Sequence, residues 1–212
     1  MLPQLDNTYS VRRTGDTGLL VEVTGPDDAH RLAAAVTARD LKGVIDVVPA
    51  MQTVLIAIDP EQTSLDKIEP NIRSLESVPD PYSEPARITI PVTYDGADLE
   101  FVAEHCGLTV DDVIDAHTNS SWRAAFCGFV PGYAYLIGGD SRLEVPRRGE
   151  SRVRVPAGAV GLAGPFSAVY PRESPGGWQL IGHTNVRLWD EHVDPPAMVT
   201  PGTVVSFENM DG

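Results

Sequence analysis

From residue 121 onward, apolar runs in this chain are short and broken by glycine or proline: SWRAAFCGF, YAYLIGG, AVGLAG, WQLIGHT and TVVSFEN follow one another with turn residues between them. A helix needs ten or more residues to bury an apolar stripe, whereas a strand needs only four to eight. This texture therefore predicts closely spaced strands curled into a barrel or a sandwich. The densest case is FCGFVPGYAYLIGG at 126–139, with four glycines and one proline in fourteen residues. Glycine gives up side-chain packing and costs entropy, so a plain core strand has no use for so many.

Read as a hairpin, the segment turns at Val130-Pro131-Gly132. Proline presets the φ of the second position of a type II turn, and glycine supplies the positive φ of the third. Period-two alternation places Trp122, Ala124, Phe126 and Gly128 on one face, and Arg123, Ala125, Cys127 and Phe129 on the other. Gly128 then leaves a gap in a face of large rings. Two readings of the gap stay open: a barrel corner where another strand crosses closely, or a notch where a ligand meets the backbone.

Upstream the periodicity is different. TYSVRR and GLLVEVT read as strands joined by TGDT. In PDDAHRLAAAVTARDLKG, Ala29, Leu32, Ala33 and Val36 share one helical face, with Pro26 at the first position and Gly43 placed to close the helix. VIDVVPA and TVLIAID are two more strands, and a helix is expected over 64–77. This ββαββα order predicts a small α/β domain over residues 1–80. SVPDPYSEPAR is proline-rich and reads as a linker or a tight crossover. After it, RITIPVTYD is a strand, Asp98 is placed to cap a helix in LEFVAEHC, and Thr109 with Asp112 forms a capping box for another. A second domain, mostly β, is expected over 85–212. The whole is of α+β class.

The charged residues narrow the functions. A net charge of −14 excludes nucleic acid and anionic membrane as main partners, because both demand a basic footprint. MLPQLDNTYS lacks the features of a signal peptide and no run approaches the length of a membrane span, so a cytoplasmic protein is expected. Of sixteen basic residues only Lys42 and Lys67 are lysine, so fourteen are arginine, and Arg147, Arg148, Arg152 and Arg154 crowd into PRRGESRVRVP. Such a cluster is either solvated, pairing with Glu144 and Glu150, or a clamp for a carboxylate or phosphate, which the planar guanidinium fork suits. PAGAVGLAG spaces its glycines as turns between strands and is not a phosphate loop. Pro175-Gly176-Gly177 reads as a turn that projects Trp178 and Gln179. The five histidines lack metal-ligand spacing, so no metal site is expected. His117 falls at a helix C-terminus, where the dipole favours its cation. His183, after WQLIG, is a pocket candidate.

Three motifs in order, FCGFVPGYAYLIGGDSRLEVPRR, RVPAGAVGLAG and YPRESPGGWQLIGHT, resemble the KipI-like proteins, also called allophanate hydrolase subunit 1 or the B component of 5-oxoprolinase. Before residue 85 the resemblance rests on VIDVVPAMQTVLI. The matching positions are Gly128, Phe129, Pro131, Gly132, Tyr135, Leu136, Pro146, Arg147, Arg154, Pro156, Ala157, Gly158, Ser174 to Leu180 and Gly182. Tyr133 stands where the family often has Phe, and His183 where many members have Arg.

The resemblance implies a small N-terminal α/β domain followed by a cyclophilin-like β-barrel. It also implies a KipA-like partner, resembling the C component of 5-oxoprolinase, with a LamB/YcsF-like subunit in some assemblies, and ATP-dependent opening of the lactam of 5-oxoproline. Half of a biotin-dependent carboxyltransferase, with biotin carried on another chain, is the alternative, and a kinase-inhibiting binding module is a third reading. Arg147, Arg148, Arg154, Gln179 and His183 are the candidate anion or substrate contacts. Gly128, Phe129, Pro131, Gly132, Tyr133, Tyr135, Pro175, Gly176, Gly177 and Trp178 are the candidates for a barrel-mouth pocket or a subunit seam. Arg154 and one of Arg147 or Arg148 are expected to share a cavity with the SPGGW turn, beside an apolar patch at Phe129, Tyr133 and Trp178.

Overall fold

The computed structural model describes residues 10–75 and 85–210. The chain forms two compact units, one up to Glu84 and one from Pro85. Most of the proline-rich segment read as a linker lies outside the described residues.

The first unit is a four-stranded antiparallel sheet with two helices. In chain order it comprises β1 (Ser10–Thr14), β2 (Gly18–Glu22), α1 (Pro26–Ala38), β3 (Val44–Pro49), β4 (Thr53–Ile58) and α2 (Leu65–Arg73). The sheet order is β1-β2-β4-β3. One face of the central strands, with Leu19, Val21, Val54, Ile56 and Ile58, meets Leu32 and Val36 of α1 and Ile68 and Ile72 of α2 in a single core. The strand and helix periods read from the sequence account for this unit. Two ends differ. The first helix stops at Ala38 and the left-handed residue that follows is Asp40, at φ 46°. Gly43 instead sits in the turn into β3. The second helix ends at Arg73, short of 77.

The second unit comprises β5 (Arg87–Val92), α3 (Leu99–Cys106), α4 (Val110–Thr118), β6 (Trp122–Cys127), β7 (Ala134–Ile137), β8 (Arg152–Val155), β9 (Ala159–Ala163), β10 (Phe166–Val169), β11 (Ser174–Gly176), β12 (Gln179–His183) and β13 (Val204–Asn209). Seven of these strands form one sheet in the order β12-β9-β10-β7-β6-β13-β5. Its two edges meet at the Thr93–His183 bridge, where each backbone N–H donates to the other's carbonyl at 2.9 Å. The sheet is thereby drawn into the barrel that the short strands predict. The remaining pair, β8 and β11, is a two-stranded ribbon.

Alternation along the strands gives the barrel two apolar faces. Ile90, Trp122, Leu136, Val160, Leu162, Val169, Ile181 and Phe207, drawn from all seven strands, join Val102 and Val113 of the helices in one core. A cluster fed by every strand is the barrel interior. The opposite faces of β7, β9, β10 and β12 carry a separate cluster: Tyr133, Ala159, Ala163, Ala168, Tyr170, Trp178 and Leu180. These four strands are thus covered on both sides.

Two local expectations fail for physical reasons. A β-bulge between Ala124 and Phe126 breaks period two on β6. An extra residue reverses the facing of everything after it. Phe126 consequently stacks on Tyr135, with ring centroids 4.3 Å apart, while Cys127 packs against the interior core with Trp122 and Ala124. His117 is no helix-end cation. It is fully buried, bonded through Nδ1 to Tyr94 Oη at 2.7 Å and through Nε2 to Ser167 Oγ at 2.9 Å, and stacked on Phe207. Desolvation outweighs the dipole because no counter-charge compensates it. The capping box of Thr109 and Asp112 forms as read.

Burial pushes the His117 pKa down to about 3, against about 6.5 in an unfolded chain. Unfolding therefore takes up a proton between those values. The stabilisation that neutral His117 supplies is fully present above about pH 6.5, and declines by up to about 1.4 kcal/mol per pH unit as pH falls toward 3. In urea titrations between about pH 6.5 and 4, His117→Gln should remove about one proton from the pH dependence of stability. An unchanged slope would show that His117 does not change protonation on unfolding.

Candidate functional site

The outer aromatic face of the barrel is where the unusual sequence motifs converge. A cavity of about 320 Å³ opens there, lined by Phe129, Tyr133, Tyr135, Arg147, Ser151, Tyr170, Pro175, Gly176, Gly177 and Trp178. Strand β7 and the turn before it supply Phe129, Tyr133 and Tyr135. The end of β10 leads to Tyr170, and the 174–178 segment forms another wall. That segment is no free turn: Ser174–Gly176 is a short strand paired with β8. Gly176 is required by close approach, since a Cβ there would stand 2.4 Å from the Tyr170 hydroxyl oxygen.

The rings form a mutually edge-on set. Tyr133 lies 5.3 Å from Tyr170 and 5.8 Å from Trp178 between centroids, each pair close to perpendicular. Such edge-to-face pairs match ring quadrupoles and hold the walls rigid. Burial pushes the phenols of Tyr133, Tyr135 and Tyr170 up, while the positive charge of Arg147 acts on each in the opposite direction. The three phenols are neutral at physiological pH, and Arg147 is the cation among them. None of the ion pairs among the described residues uses Arg147, whereas its neighbours are engaged.

Those neighbours do not share the cavity. Arg148 and Arg152 both bond the Asp98 carboxylate, with N···O distances of 2.8 Å. Arg154 turns outward, 78% exposed, to Glu173 at 3.1 Å. The expected pairing of Arg154 with the 174–178 wall is therefore corrected to Arg147 alone, and the paired acids are Asp98 and Glu173 rather than Glu144 and Glu150. Gln179 is buried and donates through Nε2 to the Pro146 carbonyl at 2.9 Å, supporting the loop from behind. His183 lies at the barrel closure and bonds Asp95 at 2.8 Å, away from the cavity. Asp98 is the residue the sequence reading underrates. It stands at the start of α3 but makes no side-chain cap bond.

A second cavity, of about 410 Å³ and mainly apolar, is lined by Cys127, Gly128, Phe129, Val130, Pro131, Gly132, Trp189, Ala197 and Val199. It gathers the other glycines of the hairpin. Gly132 has φ 81°, and a Cβ there would approach Trp189 Cβ to 2.8 Å. Nothing lies within 4 Å of a Cβ built at Gly128, so no strand crosses there. The Cys127 thiol is pushed up to about 11 by burial, which suppresses its thiolate. Phe129, Trp189, Val193 and Met198 are exposed apolar side chains in these stretches. Of the expected patch only Phe129 is exposed, and Tyr133 and Trp178 are buried.

Residues 9–199 match the family model for the carboxyltransferase domain, subdomain C and D. The chain belongs to this family. It is 39% identical to the B component of 5-oxoprolinase from Escherichia coli O157:H7, across 91% of this chain and 92% of that protein. A crystal structure of TTHA0988 is 32% identical and superposes with a TM-score of 0.79, over 92% of this chain but 40% of that one. Kluyveromyces lactis urea carboxylase, at 18% identity and TM-score 0.75, shares the fold over 95% of this chain and 22% of its own length. The family's carboxyltransferase fold thus occurs both as a chain of this size and as part of much longer ones. Among the described residues no three His, Cys, Asp or Glu side chains converge on a metal position, and no helix is long and apolar enough to cross a membrane.

Phe129 borders both cavities, holds φ at 69° and is 55% exposed. A bulky residue in the left-handed region costs about 1–2 kcal/mol. In urea unfolding Phe129→Gly should therefore be as stable as Phe129→Ala or more stable, by up to about 1 kcal/mol. The reverse order would mean the backbone there is unstrained.

Proposed function

We propose that this chain is the substrate-orienting subunit of a 5-oxoprolinase-type assembly, in which the Arg147 cavity receives 5-oxoproline. The observation that carries this is a single guanidinium, outside every ion pair among the described residues, set among stacked and edge-on aromatic walls. A small, flat ring bearing one carboxylate fits that chemistry. The guanidinium takes the carboxylate through paired N–H donors, and the ring faces take the lactam. The 39% identity to a 5-oxoprolinase component supports the choice of substrate.

On this reading the cavity binds, and the groups that do the chemistry lie elsewhere. Its lining contains no carboxylate, histidine or cysteine. One guanidinium without a phosphate loop suits a carboxylate, not the triphosphate of ATP. On this reading ATP, and the groups that activate the lactam carbonyl, sit on other chains of the assembly: a KipA-like chain, resembling the C component of 5-oxoprolinase, and a LamB/YcsF-like subunit. What this chain contributes is orientation and exclusion of water, both of which lower a barrier by removing entropy and reorganisation from it. The mainly apolar groove at Phe129 and Trp189 is assigned to the KipA-like chain. The occurrence of the same fold as 40% of a longer chain supports such a companion. Half of a biotin-dependent carboxyltransferase is the second reading, favoured by the family description itself. The cavity then takes a small amide, and biotin arrives on another chain.

The test is reconstitution with 5-oxoproline and ATP: this chain alone, the companion subunits alone, and all together. Turnover is expected only from the full mixture, and turnover by any part alone would overturn the assignment. In the mixture Arg147→Ala should raise KM for 5-oxoproline by roughly 10- to 100-fold, the worth of a hydrogen bond to a charged group, with a smaller change in kcat. Trp189→Ala should weaken association of the subunits, read by analytical ultracentrifugation, while leaving the melting temperature of this chain nearly unchanged. Undiminished association would remove the groove from the interface.

A further inference from the structure

Arg147 lies on a loop, and a loop arginine is a useful recognition group only if its backbone is held. The bonds on either side of it show how. Before it, the Pro146 carbonyl accepts from Gln179 Nε2 at 2.9 Å. After it, the Arg148 backbone N–H donates to the Gly177 carbonyl at 2.8 Å. Both anchors belong to the 177–179 segment, which continues the cavity wall. The side chains of Arg148 and Arg152 then reach past that segment to one carboxylate, Asp98.

Asp98 is unusually committed. Its side chain is 6% exposed. Oδ1 accepts from Arg148 Nη1 and from Arg152 Nη2, each at 2.8 Å. Oδ2 accepts from Arg152 Nη2 at 2.8 Å and from the Leu180 backbone N–H at 2.7 Å. The Asp98 backbone N–H donates in turn to the Leu180 carbonyl at 2.9 Å. This double link to β12 requires the chain before α3 to lie directly on the strand. Gly96 permits it, because a Cβ there would stand 2.3 Å from the Leu180 carbonyl oxygen. The carboxylate gives up the cap of α3, its ordinary use at that position, for these contacts.

We infer that Asp98 is the positioning residue for Arg147: by clasping Arg148 and Arg152 against β12, it fixes the loop so that the adjacent arginine, Arg147, projects among the rings. The charge count explains the selection of one arginine. Two guanidinium groups share one carboxylate. The third has no acid within the cluster and remains for a ligand. In a chain of net charge −14 this leaves a local positive site, which favours an anion there over the surrounding surface. This inference rests on the reading of the Arg147 cavity as the substrate site.

The test is a mutant cycle in the assembled complex, with a second readout on this chain alone. Asp98→Asn keeps the shape and removes the charge. It should raise KM for 5-oxoproline by about tenfold or more with a smaller change in kcat, since a displacement of about 1 Å in a binding group costs on that order. In an Arg147→Ala background the same substitution should add nothing, because a residue that acts through Arg147 has nothing left to act on. Equal increases in both backgrounds, or a lowered melting temperature with KM unchanged, would overturn the inference. Arg148→Gln, which releases half of the clasp, should follow the same pattern more weakly and serves if Asp98→Asn does not fold. The second readout is the side-chain Nε–H resonance of Arg147 in the isolated chain, assigned by its loss in Arg147→Ala. Asp98→Asn should move it toward the position of free arginine, and an unmoved resonance would overturn the clasp. If Arg147→Ala leaves KM unchanged, or the wild-type assembly shows no turnover, the substrate reading fails, and the resonance alone decides whether Asp98 holds the loop.

Discussion

Burial of four barrel strands on both faces is the constraint on which the rest of this structure depends. Strands β7, β9, β10 and β12 send alternate side chains into the barrel interior and into an outer aromatic layer. A strand with two buried faces has no solvent side on which to place bulk, and neighbouring segments must come within van der Waals distance of its backbone. This accounts for two glycines of the later motifs. Gly161 lies mid-strand in β9 with Trp178 Cβ 3.2 Å from where its own would be, and Gly176 makes room for the Tyr170 hydroxyl. These two glycines are thin places that let a second layer sit on the barrel.

That second layer creates the site. A single-layered barrel offers a ligand its mouth, whereas here the ribbon of β8 and β11 meets the outer wall and leaves a cavity between rings. The aromatic walls are held by edge-on packing, and the cation among them, Arg147, stands on a loop whose next residue, Arg148, bonds a buried carboxylate. Rigid walls with a cation suit the orientation of a ligand, in keeping with a lining that has no carboxylate, imidazole or thiol.

The barrel interior follows a different logic. It contains one polar group of consequence, His117, satisfied on both ring nitrogens by Tyr94 and Ser167 and stacked on Phe207. A neutral histidine with two partners ties α4 to β10 and to the start of the segment after β5. This is a use of buried polarity for register, at a cost that grows with acidity.

By itself the sequence determined the elements. The ββαββα order of the first unit, the capping box at Thr109, the strand–turn–strand at 122–137 and the change to short strands after residue 121 all follow from local periods and turn chemistry, which act over a few residues. The motifs also carried the family. What the sequence did not determine was facing and partnership. A bulge of one residue at Ala125 moved Phe126 and Cys127 to opposite sides from those that alternation predicts, because nothing local marks where a strand will slip to suit its neighbour. Arg147, Arg148 and Arg154 look equivalent in a run of arginines. Only the tertiary structure separated them, since the acids that neutralise two of them come from fifty and nineteen residues away, at Asp98 and Glu173. Charge pairing is decided by distance in space, and over such separations only the completed barrel sets that distance.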